Sequence, residues 1–186
     1  LFLEVSENGE MTISVDSIIS RLKEASLSLR AISRRAFAST AIDIVRTYVV
    51  SVICYGIAIW FPTLTTKNPE KIKEMRYWYL SCVHYCCYEE KEMMGWTNSS
   101  KTVNKDCSVE IKLLALTDLP SIDQIYVSAC VSYYEHVRKL YEKGFFEGVI
   151  KENKRTKKLF YLGKEKTSPV CMLISNVNNL ASSKKK

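Results

Sequence analysis

Cys82, His84, Cys86 and Cys87, with Cys107 beyond them, are the residues whose types first invite a chemical reading, because thiolates and imidazoles are the ligands zinc takes. Their spacing argues against a site. On a helix Cys82 and Cys86 share a face, while His84 points about 200° away at ~100° per residue, so the three do not converge. No metal and no cofactor is assigned on this basis. The aspartates Asp16, Asp43, Asp106, Asp118 and Asp123 fall at helix starts and in links, and no two are adjacent, so they do not form the carboxylate pair of a two-metal centre. His84 and His136 lack partners in a triad order, and the sequence has no nucleophile elbow or Gly-rich phosphate loop. Asn98-Ser99-Ser100 matches a glycosylation acceptor, read here as chance. The sequence therefore carries no assembled catalytic constellation, and the chain is expected not to be an enzyme.

The cations offer a different chemistry. The net charge is +7, and residues 149–186 alone sum to +8, leaving the preceding body at −1. A basic segment is an electrostatic footprint for nucleic acid when it is concentrated in this way. The concentration sits in Lys151, Lys154, Arg155, Lys157, Lys158, Lys164, Lys166 and the terminal Lys184 to Lys186, with Lys154, Arg155, Lys157 and Lys158 the candidate contacts. A second group, Arg30, Arg34, Arg35 and Arg46, can line one rim of two consecutive helices and meet phosphates, or form a solvated face. Lys73 and Arg76 interleave with Tyr77, Trp78 and Tyr79, a mixture suited either to stacking bases or to burying rings, with burial the assignment for Tyr79.

The elements that must position these groups read as helices. Hydrophobic residues make up 47% and charged residues 25%, with only 6 Gly and 4 Pro, which excludes wholesale disorder and a turn-rich sandwich. The organising stretch is 39–62, capped by Ser39 or Thr40, with Ile42, Val45, Val49, Val52 and Ile53 at helical spacing up to Pro62. In it Gly56 permits close backbone approach, while Tyr55 and Trp60 act as structural aromatic anchors. Before it, Asp16 caps a helix to about Arg34 with Ile18, Leu22, Ala25, Leu29 and Ile32 on one stripe. After it, Asn68-Pro69 start a third helix whose inner face is Ile72, Met75, Tyr79, Cys82 and Cys86. Residues 89–107 read as a loop. Asp106 then caps a short helix, and Pro120-Ser121 open a long one with Ile122, Ile125, Tyr126, Ala129, Tyr133, Val137 and Leu140 inside, stopping near Gly144. At the front, residues 1–14 alternate around Asn8-Gly9, the signature of a hairpin turn. Past Gly144 the reading is irregular, with one apolar patch at 169–174 suited to a strand or a short helix.

The fold expectation is thus mostly α: a helical bundle over 16–148, a small N-terminal β-hairpin over 1–15, and an irregular basic C-terminal tail over 149–186. Seven cysteines, an odd number and largely inside apolar helical patterns, point to a reducing compartment, nucleus or cytoplasm. Residues 47–66 are uncharged, but Pro62 and the threonines after it cut the apolar part to about fifteen residues, short of the ~20 a spanning helix needs, so no membrane association is expected. Beginning at Leu1, the chain reads as a fragment or a processed product.

The ending Tyr55-Gly56…Trp60, preceded by Leu29-Arg30-Ala31-Ile32 and by Phe2-Leu3, resembles the region following the palm in reverse transcriptases of non-LTR (LINE-like, jockey-type) retrotransposons. The likeness continues through Ile72-Lys73-Glu74-Met75-Arg76, Asp106-Cys107, Leu119-Pro120-Ser121-Ile122 and Thr167-Ser168-Pro169-Val170. It departs where the family's glycine after Phe-Leu is Glu4, and where its His-Ile is Ser17-Ile18. The resemblance implies the thumb and C-terminal region of such an enzyme, with the catalytic palm upstream of Leu1, and hence a non-catalytic module gripping an RNA or DNA backbone. The alternative reading is a repurposed retroelement remnant acting as a structural or protein-interaction subunit in a larger complex.

Overall fold

Helix α1 (Val15–Ile32) follows from its apolar stripe, for Ile18, Leu22, Ala25 and Leu29 are all buried. The computed structural model describes residues 3–5, 11–13, 15–32, 37–87, 107–156, 158–162, 171, 173–175 and 177–178. By compactness the chain divides into two units, residues 1–125 and 126–186. The division falls inside the longest helix, not at the 148/149 step in charge.

In the first unit, strands β1 (Leu3–Val5) and β2 (Met11–Ile13) pair antiparallel, with Glu4 opposite Thr12. The Asn8-Gly9 turn and the Asp106 cap lie outside the described residues, as does most of the 89–107 loop. Asp16 is not the cap of α1. It sits in the first turn, where its carboxylate suits the positive helix end and accepts from Lys71 Nζ at 2.6 Å. The stripe also ends one turn early, since Ile32 is exposed.

The organising stretch is helical but not one helix. It comprises α2 (Ala38–Ile44), a π-helical turn (Val45–Val49), α3 (Val50–Cys54) and, after a break, α4 (Ile57–Lys67). Phe37, not Ser39 or Thr40, stands at the N-cap, and no side chain caps it. Thr47 Oγ1 and Ser51 Oγ donate to the carbonyls four residues back, at 2.7 and 2.6 Å, a competition with the backbone ladder that accompanies its local widening. Ala41, Val45, Val49, Val52 and Ile53 still make a continuous buried face.

The break comes from Gly56, whose φ of +64° is left-handed and costs other residues about 1–2 kcal/mol. It bends the path by 59° between the segments on either side. Gly56 is therefore a left-handed break in the backbone and the N-cap of α4. Pro62 lies inside α4 and does not end it. No single helix among the described residues is long and apolar enough to cross a membrane, although the bent pair reaches that composition when its halves are taken together.

Helix α5 (Pro69–Cys86) is the axle of this unit, packing on α1, α2, α4 and helix α6 (Cys107–Thr117). Its start follows the sequence rule, with Pro69 at the first helical position and Asn68 Oδ1 accepting from Lys71 N–H. Ile72, Met75, Tyr79, Cys82 and Cys86 are all buried. The polar groups on this face are matched: Ser26 and Ser81 hydroxyls meet at 2.8 Å, and Cys82 Sγ donates to the Leu22 carbonyl at 3.6 Å.

Helix α7 (Ile122–Glu142) opens with a reciprocal cap: Ser121 Oγ accepts from Gln124 N–H and Gln124 Oε1 accepts from Ser121 N–H, at 3.2 and 2.7 Å. It closes at Gly144, φ +83°, where Phe145 N–H reaches Leu140 O and Gly144 N–H reaches Tyr141 O. That is a left-handed glycine stop satisfying two orphan carbonyls. Inside the second unit Cys130 and Val137 are buried, whereas Tyr133 is 47% exposed, contrary to its place in the expected inner face. The chain then builds an antiparallel hairpin of β3 (Ile150–Glu152) and β4 (Leu159–Tyr161) where an irregular tail was expected. Residues 171 and 173–175 are helical, with Leu173 and Ile174 buried, which is the short-helix form of the apolar patch.

Candidate nucleic-acid interface

Trp60 is buried at 5% exposure, and its indole Nε1–H donates to the Tyr55 carbonyl at 2.9 Å, capping the backbone group that the break at Gly56 releases from helical bonding. Tyr55 itself is 43% exposed, so its ring is not the buried anchor the sequence indicated. Tyr79 is fully buried and its hydroxyl donates to the Pro120 carbonyl at 2.6 Å, tying α5 to the link before α7. Burial, reinforced by the nearby thiols Cys82 and Cys86, holds its phenol above the usual tyrosine range.

Cys82 and Cys86 lie stacked on one buried face, with Cys86 Sγ donating to the Cys82 carbonyl at 3.4 Å. Burial pushes both thiols up to about 12, which keeps them protonated near neutrality. Among the described residues no group of three or more His, Cys, Asp and Glu side chains comes together. An open groove of about 590 Å³ between α6 and the start of α7 is lined by Ile111, Leu114, Leu119, Pro120, Ser121 and Gln124, with Asp118 as its one charged residue. It holds no acid–base pair.

Four cations of the first unit are paired with carboxylates. Arg46 pairs with Asp43 at 3.3 Å, Lys73 with Glu70 at 2.8 Å, Lys71 with Asp16 at 2.6 Å and Arg76 with Asp123 at 2.7 Å. Arg76 gives its terminal nitrogen to both Asp123 oxygens, and its Nε is buried with no acceptor. Lys23 Nζ lies 5.6 Å above the Trp78 ring, which meets Tyr77 edge-on at 4.9 Å, so these aromatics face a cation and each other. Arg30 is exposed at the end of α1; Arg34 and Arg35 lie outside the described residues. Of the basic rim expected here, Arg46 is paired with a carboxylate.

The second unit is different. Asn153 Oδ1 accepts from the backbone N–H groups of Arg155 and Thr156 at 2.9 and 3.0 Å, a side-chain-stabilised turn that holds Lys154 and Arg155 out into solvent. Lys158 flanks this turn, Lys151 is exposed on β3, and Lys157 lies outside the described residues. Among the described residues none of Lys151, Lys154, Arg155 and Lys158 pairs with a carboxylate. The hairpin is anchored by its other face: Ile150 and Leu159 are buried, Tyr134 Oη accepts from Leu159 N–H at 3.2 Å, Asn178 Nδ2 donates to Leu159 O at 3.1 Å, and Arg138 bridges Glu152 at 2.9 Å. The sequence places Lys151 in the basic concentration but not among the candidate contacts; the alternation around 150–152 and 159–161 is the signal that sets it beside them.

Comparison with known proteins returns no match: no family model, curated protein or solved structure is similar enough to the chain to support an argument.

Proposed function

We propose that the chain is a non-catalytic nucleic-acid-binding module that grips a phosphate backbone. The observation supporting this reading is the hairpin bearing Lys151, Lys154, Arg155 and Lys158, cations without a described carboxylate partner on a turn fixed by Asn153. Cations already satisfied by carboxylates have little to offer a phosphate, while unsatisfied ones gain counterion release on binding. The resemblance to a retrotransposon reverse-transcriptase thumb and C-terminal region agrees in kind, since a thumb is a helical body that holds a duplex without carrying the catalytic aspartates.

Salt titration tests the reading. The intact chain is mixed with single-stranded RNA, single-stranded DNA and hybrid duplex at several salt concentrations, beside a variant carrying Lys151→Gln, Lys154→Gln, Arg155→Gln and Lys158→Gln. The expected result is affinity falling steeply with salt, with the slope reduced in the variant by about one per lost phosphate contact. An intact chain that binds none of these ligands, or a variant with an unchanged slope, removes the proposal. A second reading, a structural or protein-interaction subunit, is favoured by the self-neutralised charge of the first unit and becomes the better one in that event.

A further inference from the structure

We propose that the outward face of the β3–β4 hairpin is a stacking platform for the bases of a single-stranded nucleic acid, a reading that rests on the proposed function and narrows it. The register places Lys151 directly opposite Phe160. Residues opposite one another in an antiparallel pair share a face, with Cβ atoms about 4.5–5.5 Å apart. The pairing continues in both directions, since Leu162 N–H donates to Val149 O at 2.7 Å and Asn153 N–H donates to Lys158 O at 2.8 Å. One face of the ribbon therefore carries an aliphatic pair, then an aromatic ring beside a lysine, then a lysine beside Asn153, and ends at Lys154 and Arg155.

Phe160 is 44% exposed, although its neighbour Leu159, on the opposite face, is completely buried. The hairpin therefore has an inner face to spend on burial, and Phe160 is not on it. Glu152, the carboxylate within the paired strands, lies on that inner face and is held by Arg138. A ligand complementary to the outer face must be anionic and must also present apolar, flat surface next to its charges. A single strand does both, with phosphates for the lysines and bases for the ring. A duplex hides its bases in the stack and offers only the backbone.

The test uses the full chain with fluorescent oligouridylate, oligothymidylate and an RNA–DNA hybrid of matched length, and with phosphatidylserine vesicles as a second anionic surface. Phe160→Ala is expected to weaken single-strand binding roughly 5- to 150-fold, the range of one stacked base, and to change hybrid binding about twofold or less. The salt slope should stay as it was, because no phosphate contact is lost. Phe160→Leu preserves apolar bulk and should lose the same preference, which separates stacking from folding. Phe160→Trp should keep it and show altered fluorescence of the new indole when the single strand is added. Equal losses on single strand and hybrid, or no loss on either, overturn the platform while the charge-neutralised variant still decides the proposed function. Retained single-strand preference in Phe160→Leu also overturns it, as does Phe160-dependent binding to vesicles in place of oligonucleotides. Absence of binding to every oligonucleotide removes both proposals.

Discussion

The two units handle their cations in opposite ways. In the first, Arg46, Lys71, Lys73 and Arg76 each meet a carboxylate within 3.3 Å. In the second, Arg138 meets Glu142 and Glu152, while Lys151, Lys154, Arg155 and Lys158 have no carboxylate partner among the described residues. Net charge along the sequence already differs, but charge alone does not distinguish a silent surface from an available one. What separates them is the location of the acids: Asp16, Asp43, Glu70 and Asp123 stand beside the cations of the first unit, whereas Glu152 is turned to the other face of its strand. An available cation is therefore a property of strand alternation and helix spacing as much as of composition.

The largest effect that follows tests whether the first unit closes on itself. Trp60→Ala removes a buried indole and leaves the Tyr55 carbonyl without its donor, at an expected cost of about 3–5 kcal/mol. Gly56→Ala should cost less, about 1–2 kcal/mol, through left-handed backbone strain. Thermal melting checks both; an unchanged Tm in each removes the structural role given to this corner.

A second effect sharpens the contrast through the thiols of α5. Cys82 and Cys86 are held protonated up to about 12, against 9.0 for an ordinary thiol, so between those values the unfolded chain has released protons that the folded chain retains. With fewer protons on the unfolded state, stability falls as pH rises through this window. It is fully present below pH 9 and lost progressively towards pH 12. Urea unfolding at alkaline pH reads this, and the paired change Cys82→Ala and Cys86→Ala should flatten the decline. An equally steep decline in that variant assigns the alkaline sensitivity elsewhere.

The parts legible in the sequence are those set by local chemistry. The start of α5 at Asn68-Pro69, its inner face, the opening of α7 at Ser121 and its stop at Gly144 all depend on residues within a turn of one another. The break at Gly56 was less accessible, because a glycine in an apolar helical run fits equally well as a packing contact or as a left-handed hinge. The β3–β4 hairpin was hidden by charge: Lys151, Lys154, Arg155 and Lys158 mask a short alternation that the Asx-type turn at Asn153 makes possible. Least accessible was the silence of the first-unit cations. Arg76 and Asp123 are 47 residues apart, and only packing brings them together.

The smallest expected effect is also the most direct test of the comparison. If carboxylates silence the cations of the first unit, removing the acids should free the cations with little change in stability. Asp43→Asn, Glu70→Gln and Asp123→Asn each break one pair at a partly exposed position, where such pairs are worth about 0–1 kcal/mol. Combined, they raise the net charge by three and leave Arg46, Lys73 and Arg76 unpaired. Binding to hybrid duplex should then strengthen, with the salt slope steeper by up to about one per cation that reaches a phosphate. The partly exposed Arg76 is expected to contribute least, because its Nε stays buried and restrains the guanidinium. Salt titration of this variant against the parent chain supplies the measurement. Identical slopes would mean that these cations are silent for reasons of position rather than pairing, and nucleic-acid contact would then rest on the hairpin alone.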